Sequence, residues 1–187
     1  VKNEFLLPGF LPVAQRINHL NPAPNCVLAG VGNGSYLAGI AWGCCAINGV
    51  LPKIIPVGMQ GAFPAEEAFR QGKRIHEYES FLAKEELIDA AEGSIAIASY
   101  SMPQLIYAMW ISGGFPLGGL TNDDLRKAYL LLTEDKLLLE NGAIPEPTGI
   151  MGLAAALKHR DIFKKSDVVL VSFTGHGVKD EEGIRRL

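Results

Sequence analysis

The sequence predicts an α/β protein with three layers, in which helices cover both faces of a mainly parallel sheet. Residues 26–31, 53–58 and 167–172 are short, continuous apolar runs, as expected of strands buried on both faces. Residues 26–58 form a strand, a glycine loop, a helix and a strand, and such a unit forces parallel pairing. The 187 residues, of which 48% are hydrophobic, can bury one core, so we expect a single domain over residues 1–187.

The first half of the chain is divided into alternating elements by breakers. Pro22 and Pro24 end the first helix, because proline removes a backbone donor and restricts the residue before it. The strand at 26–31 leads through a glycine loop into a largely apolar helix. The predicted helices of this half cover residues 11–20, 36–48, 65–71 and 84–91.

The second half begins with an apolar helix that starts after Ser101 and ends at Gly113. Its methionine and aromatic residues at helical spacing are typical of a core rather than of a cofactor site. Thr121 or Asn122 caps the next helix, which Gly142 ends, and small residues in the last of the three predict close packing on the sheet. The predicted helices of this half cover residues 102–112, 122–141 and 149–159.

Composition excludes several classes of function. The formal charge of −3, the pI near 5.8 and the lack of a basic stripe with interleaved aromatic residues argue against a nucleic-acid partner. No run approaches the ~18 apolar residues of a membrane span, and the N-terminus lacks the layout of a signal peptide. Three cysteines form neither a disulfide framework nor a metal spacing, so we expect small core residues in a reduced, cytoplasmic protein.

Two loops follow strands directly and carry the residues that could bind a ligand. Gly32, Asn33, Gly34 and Ser35 offer flexible backbone, polar side chains and a following helix N-terminus, which is a phosphate cradle in outline. A tight strand-to-helix turn without a ligand explains the same residues equally well. The loop is neither a dinucleotide fingerprint, because Leu37 stands where the third glycine is needed, nor a P-loop, because no lysine follows.

The second loop contains Thr174 and His176 between flexible glycines. Thr174 can make a hydrogen bond at the strand end, and His176 is either a titrating base or a structural residue. In a parallel sheet, ligands bind beyond the carboxyl ends of the strands, so the two loops can share one crevice. The four histidines show no metal-ligand spacing, and the sequence has no nucleophile elbow.

Three segments in this order resemble the C-terminal half of a fold-type II pyridoxal-phosphate enzyme of the tryptophan synthase beta-like superfamily: VLAGVGNGSYLAGIA, IPEPTGIMGLAAAL and LVSFTGHGVKD. The T-G-H-G-V-K-D run is similar to threonine synthase. The glycine loop and the E-P run are shared more widely with amino-acid dehydratases. The resemblance extends from residue 11 to residue 180 and implies the C-terminal part of the large domain.

The resemblance implies pyridoxal 5'-phosphate as cofactor and assigns its contacts. The backbone of the glycine loop would bind the phosphate, Thr174 would meet the pyridine nitrogen, and Glu146 would lie near the cofactor edge. A neutral hydroxyl at the nitrogen suits elimination and replacement at Cβ or Cγ, because it does not hold the ring protonated. The phosphate contacts implied are Gly32, Asn33, Gly34, Ser35 and Tyr36.

Two departures from the family pattern qualify the resemblance. Threonine synthases usually carry G-N-A-G-N in the phosphate loop, whereas Gly32 to Tyr36 here are in the style of dehydratases. No lysine of this chain lies in the S-x-x-K-D-R context of the Schiff-base lysine, and the S-T-G-N loop for the substrate carboxylate is missing. We therefore expect no catalytic residue in this chain and an N-terminal half that supplies the lysine, in agreement with a start at Val1 rather than Met.

The sequence therefore predicts the cofactor-binding part of a threonine synthase-like lyase, inactive alone. The intact enzyme would convert O-phosphohomoserine to threonine and phosphate, and we expect it to be a cytoplasmic homodimer acting on a phosphorylated amino acid. One alternative is part of an amino-acid dehydratase or a β-replacement enzyme. Another is a non-catalytic domain that binds a phosphorylated ligand.

Overall fold

A computed structural model describes residues 6–72, 90–94, 101–134 and 140–187 of the chain. Its sheet has four strands, all parallel, in the spatial order β3-β2-β1-β4. The strands are β1 (Cys26–Gly30), β2 (Lys53–Met59), β3 (Leu117–Leu120) and β4 (Val169–Val171). The mainly parallel sheet predicted from the sequence is confirmed.

Strand β1 has a parallel neighbour on each side. β2 and then β3 follow on one side of β1, where Leu28 pairs with Ile55, and β4 lies on the other side, where Leu28 pairs with Val171. The order of the strands therefore reverses between β1 and β4. In open α/β sheets such a switch point leaves a crevice beyond the carboxyl ends of the two strands.

Helices cover both faces of the sheet. Val27 and Ile54 point into a core that they share with α1, α2, α3 and α4, whereas Leu28 and Ile55 point into a second core shared with α5 and α6. The three-layer arrangement is thus confirmed. The helices are α1 (Leu11–Asn18), α2 (Ser35–Ala46), α3 (Pro64–Arg70), α4 (Met102–Ser112), α5 (Asn122–Thr133), α6 (Pro147–Lys158) and α7 (Glu181–Arg185).

Small residues bring two of these helices close to their neighbours. In α2, a Cβ on Gly43 would lie 2.6 Å from the Ala14 Cβ, so α1 packs directly on the backbone of α2. In α6, a Cβ on Gly152 would lie 2.9 Å from the carbonyl oxygen of Leu28. The predicted close packing of this helix on the sheet is confirmed, and it places the first turn of α6 beside the end of β1.

Strand β3 was not predicted from the sequence. Leu117, Gly118, Gly119 and Leu120 have no alternation and no β-branched residue, and they form a strand through pairing with β2. The predicted helix over residues 84–91 lies outside the described residues except for Ala90 and Ala91. The helix predicted to end at Gly142 is described from Asn122 to Thr133.

The burial prediction for the last strand was wrong, and the one for the cysteines is confirmed for two of the three. The last strand was expected to be buried on both faces, but all three residues of β4 are half-buried, because β4 is the edge strand of the described sheet. Cys26 and Cys44 are buried core residues, and burial raises the pKa of both thiols, whereas Cys45 is exposed. All three cysteines are free.

A hydrogen-bonded latch closes the amino end of the sheet. The Asn25 side chain donates to Asp167 Oδ1 (2.9 Å) and accepts from the Val168 N–H (2.9 Å). Asp167 Oδ2 in turn accepts from the Lys164 N–H (2.8 Å), and the Asn25 backbone bonds to both Val168 and Lys53. The latch therefore ties the start of β4 to the starts of β1 and β2.

No helix within the described ranges has the length and apolar character needed to cross a membrane. The same part of the chain contains no group of three or more potential metal-binding side chains.

Candidate functional site

The two loops singled out in the sequence leave neighbouring strands at the switch point. The Val31 N–H donates to the Val57 carbonyl (3.0 Å), and the Ser172 N–H donates to the Leu28 carbonyl (3.0 Å). Both segments therefore stay paired with the neighbouring strand up to the point where each loop begins. Beyond these bonds lies a cavity of about 570 Å³. It is lined by Phe10, Gly30, Gly32, Asn33, Tyr36, Gly93, Glu146, Thr148, Phe173 and Thr174. The expected common crevice is therefore present.

The loop after β1 turns sharply into α2. Gly34 caps the helix in the left-handed region with φ +83°, and a Cβ there would lie 3.0 Å from Leu105. The first helical bond runs from the Ala38 N–H to the Gly34 carbonyl (3.1 Å). The N–H groups of Ser35 and Tyr36 precede that bond, so they have no carbonyl within the helix and suit an anionic ligand.

The predicted phosphate-loop residues divide into two groups. Gly32, Asn33 and Tyr36 line the cavity, together with Thr174 from the other loop. Gly34 and Ser35 instead hold the loop in shape, Gly34 through its backbone conformation and Ser35 through its hydroxyl, which lies 2.8 Å from the Ser101 hydroxyl at the start of α4.

The Tyr36 ring is held by an aromatic contact from outside the loop. It packs edge-to-face on Phe10, with 5.6 Å between the ring centroids. Phe10 itself lines the cavity, so this contact sets one of its walls.

The loop after β4 is joined to the segment before α6. The Glu146 N–H donates to the Gly175 carbonyl (3.1 Å), and the Gly177 N–H donates to the Ile144 carbonyl (2.6 Å). These bonds fix the backbone that follows Thr174. Thr174 itself is exposed and faces both the main cavity and a neighbouring one of about 300 Å³.

His176 uses both ring nitrogens in hydrogen bonds to backbone groups, one of them in a distant segment of the chain. Nε2 lies 2.8 Å from the Gly142 carbonyl oxygen, so Nε2 carries a proton, and Nδ1 accepts a hydrogen bond from the Val178 N–H (3.2 Å). Both ring nitrogens are therefore engaged with backbone groups, as expected of a structural residue. Of the two alternatives that the sequence left open for His176, the geometry favours the structural one.

Among the described residues that line the cavity, Glu146 is the one that has a carboxylate. Its carboxylate lies against Gly175, where a Cβ would overlap Oε1, and Oε2 pairs with Lys179 Nζ at 3.3 Å. The side chain is only 14% exposed, whereas that of Lys179 is largely in solvent. A negative charge thus stands at the end of the cavity that contains Thr174.

Sequence reasoning missed Gly93 and Thr148, which form the opposite end. A Cβ on Gly32 would lie 3.0 Å from the Gly93 carbonyl oxygen, so the backbone at Gly93 lies directly against the loop after β1. Thr148 is 8% exposed, and its hydroxyl has no hydrogen-bond partner within the described part of the protein.

No lysine of the described ranges lines the cavity. Lys158 bonds to Asp124 and to the Gly119 carbonyl, and Lys179 is paired with Glu146. Lys2, Lys73, Lys84 and Lys136 lie outside the described residues. The expectation that the Schiff-base lysine is not in this chain stays a prediction.

Comparison with known proteins gives a family and a fold. The family described as "Pyridoxal-phosphate dependent enzyme" matches residues 2–175. No curated protein matches the chain significantly.

Among solved structures, the chain is similar to a threonine deaminase from T.th., with a TM-score of 0.60 and 23% identity over 91% of this chain and 56% of that one. It is similar to the processed form of threonine deaminase isoform 2 from Solanum lycopersicum (TM-score 0.69, 19% identity, 96% and 49% coverage). An L-serine ammonia-lyase from Rhizomucor miehei gives a TM-score of 0.70 and 17% identity, with 98% and 57% coverage. These likenesses show the fold, and the chain spans about half the length of each solved chain.

Proposed function

The chain belongs to the pyridoxal-phosphate dependent enzymes, and from that premise we propose that it is the cofactor-binding part of a lyase acting on an amino acid. One observation carries the proposal. Gly32, Asn33 and Tyr36 from the loop after β1 line the same cavity as Thr174 from the loop after β4, at the switch point of the sheet.

The site fits the cofactor in size and in chemistry. A cavity of about 570 Å³ lies within the usual range for a bound small molecule. The first-turn N–H groups of α2 suit the phosphate, and the glycine at position 32 lets the backbone approach it closely. Gly32, Asn33 and Tyr36 would hold the phosphate end, with Gly34 and Ser35 shaping the loop, and Thr174 would face the ring nitrogen.

Pyridoxal phosphate, when bound, supplies an electron sink for negative charge at the Cα of an amino acid. The role of this chain is to bind and orient the cofactor. The Thr174 hydroxyl is neutral and can donate to or accept from the ring nitrogen without fixing a proton there, unlike a carboxylate. Phe10 and Phe173 line the cavity and would offer apolar surface to the bound cofactor.

For the reaction, our first candidate is the conversion of O-phosphohomoserine to threonine and phosphate. It is supported by the T-G-H-G-V-K-D run at residues 174–180. The second candidate is dehydration of a hydroxy amino acid, supported by the Gly-Asn-Gly-Ser-Tyr loop and by a fold shared with two threonine deaminases. In either case the Schiff-base lysine would come from a second stretch of polypeptide, the N-terminal half of the same enzyme, and the enzyme would be a homodimer.

A titration of the chain with pyridoxal phosphate, followed by borohydride reduction and peptide mass spectrometry, tests the proposal. We expect saturable binding that inorganic phosphate competes for, and no reduced adduct at a specific lysine. A chain that does not bind the cofactor contradicts the proposed function. An adduct at one specific lysine contradicts the narrower claim that the lysine lies elsewhere.

The two candidate reactions differ in their products. In the enzyme that joins this chain to its lysine-bearing half, O-phosphohomoserine would give phosphate without ammonia, whereas a dehydratase given threonine or serine would release ammonia and a 2-oxo acid. An assembled protein that binds the cofactor and shows neither activity would favour a β-replacement enzyme or a non-catalytic phosphate-binding domain. Sedimentation analysis of that protein tests the homodimer.

A further inference from the structure

Thr148 presents a buried hydroxyl to the cavity with no protein partner. The residue is 8% exposed, it lines the cavity, and its Oγ1 has no hydrogen-bond partner in the described structure. Its place in the second position of α6 leaves no helical carbonyl one turn before it to accept the proton. A buried hydroxyl without a partner destabilises the empty protein, so its presence calls for a ligand atom.

Contacts on the two sides of α6 show which end of the cavity Thr148 faces. A Cβ on Gly93 would lie 2.9 Å from Thr148 Oγ1, and Gly93 also covers Gly32 of the phosphate loop. The Glu146 carboxylate lies on the other side, against Gly175. Thr148 therefore belongs to the end with the phosphate loop, and Glu146 to the end with Thr174.

The other hydroxyls near the cavity have different surroundings. The Ser35 hydroxyl already shares a hydrogen bond with Ser101 (2.8 Å), and Thr174 is exposed at the far end. Among the described residues that line the cavity, Thr148 is the one whose hydroxyl is buried and has no partner, and it can give its proton to an acceptor at the phosphate loop. A charged phosphoryl oxygen is the strongest acceptor that a ligand in this cavity would offer there.

We propose that the Thr148 hydroxyl donates a hydrogen bond to a phosphoryl oxygen of the ligand whose phosphate is held by the loop from Gly32 to Ser35. This inference rests on the proposed function and adds a contact to it. Helices α2 and α6 lie on opposite faces of the sheet, so the phosphate is held from both layers.

The contact has two signatures that a purely structural threonine lacks. Thr148→Val removes the hydroxyl at constant shape, so the empty chain should be at least as stable as the wild type, because an unpartnered buried hydroxyl is lost. The same variant should bind pyridoxal phosphate about tenfold more weakly. Thr148→Ser keeps the hydroxyl and should stay within about twofold of the wild type.

The test is a titration of the whole chain with pyridoxal phosphate and with pyridoxal, together with thermal unfolding without ligand. For pyridoxal, which has no phosphate, wild type and Thr148→Val should differ by no more than about twofold. Thr121→Val is the matched control, because Thr121 also stands at a helix start but its hydroxyl is bonded to Asp124 at 2.9 Å. That variant should lose stability and retain its affinity for pyridoxal phosphate.

Unchanged binding of pyridoxal phosphate by Thr148→Val would overturn the inference and leave the proposed function standing. An equal loss for pyridoxal and pyridoxal phosphate would also overturn it, because the contact would then not be to the phosphate. A lower melting temperature of the empty variant would count against it too, by showing that the hydroxyl stabilises the protein itself. A wild-type chain that binds no pyridoxal phosphate would remove the proposed function and the inference together.

Discussion

The two ends of the parallel sheet use their polar groups in different ways. At the amino end, Asn25 and Asp167 bond to each other and to backbone groups at or just before the starts of the strands. At the carboxyl end, the first turn of α2 and the hydroxyl of Thr148 face a cavity, and that hydroxyl has no partner in the described residues.

The difference separates stability from function within one sheet. A polar group bonded inside the protein contributes to folding and has no bond to offer a ligand. A group left for a ligand costs stability until the ligand arrives. We therefore expect substitutions at the carboxyl end to change binding more than stability, and substitutions at the amino end to do the reverse.

The largest effect should come from breaking the loop at the carboxyl end with Gly34→Val. A β-branched residue at φ +83° is strained and its Cβ would press on Leu105, so we expect a loss of stability of about 2 kcal/mol. Affinity for pyridoxal phosphate should fall about 100-fold, because several hydrogen bonds to the phosphate would be misdirected.

The control for this variant is Gly113→Ala, at a helix end with φ +65° and no atom within 4 Å of the new Cβ. It should cost about 1 kcal/mol of stability and leave binding unchanged. Similar losses of affinity in the two variants would mean that global destabilisation, and not the loop, controls binding.

At the amino end, Asn25→Ala removes the side chain at the centre of the latch. We expect a loss of about 1–2 kcal/mol, or roughly 4 °C in melting temperature, with cofactor affinity within twofold of the wild type. Asn25→Asp, which sets a second carboxylate against Asp167, should lose at least as much stability. A matching fall in cofactor affinity would contradict the separation of the two ends.

Thr174→Val tests the second loop at the carboxyl end with a smaller change. Thr174 is exposed, so stability should change by less than about 0.5 kcal/mol. We expect affinity for pyridoxal phosphate to fall about fivefold and the absorption spectrum of the bound cofactor to shift, because one hydrogen bond to the ring is lost. Thr174→Ser should retain both properties, and an unaltered spectrum in the valine variant would exclude a contact with the ring.

The smallest effect is a dependence of stability on acid. Hydrogen bonds from the Lys164 N–H and from Asn25 hold the pKa of Asp167 below its usual value. Burial works to raise the pKa of Asp124, but hydrogen bonds from Lys158 and Thr121 outweigh it and the net pKa is lowered. For a carboxyl with a lowered pKa, the stabilisation is complete above the ordinary value of about 3.9 and is lost as the pH falls through the folded-state value.

Urea midpoints measured between pH 6 and pH 3 should therefore fall towards the acid end. The decline should be shallower in Asn25→Ala, because one of the bonds that favour ionised Asp167 is gone. An identical decline in that variant would contradict the assignment.

The elements that local signals specify could be predicted from the sequence. Helix α4 begins and ends at the predicted residues, because Gly113 adopts the left-handed conformation that stops it. The loop after β1 and Thr174 were predicted to lie at strand ends, and parallel pairing brings them to one cavity. At these positions the prediction from local sequence agrees with the observed structure.

The remainder depends on neighbours that lie far away in the chain. Leu117 to Leu120 form a strand only because β2 lies beside them, and β4 is half-buried because no described strand covers its outer edge. Gly93 and Thr148 belong to the cavity through contacts with Gly32 and with each other. No periodicity or motif in their own segments specifies that placement.

The convergence of α2 and α6 on the end of β1 has a thermodynamic consequence. Each helix packs in a different core, so a ligand held by both joins the two halves of the hydrophobic interior. At a ligand concentration one hundred times the dissociation constant, this linkage adds about 2.7 kcal/mol to the free energy of unfolding. Amide exchange in both cores should slow together on binding, since neither layer can open while the phosphate bridges them.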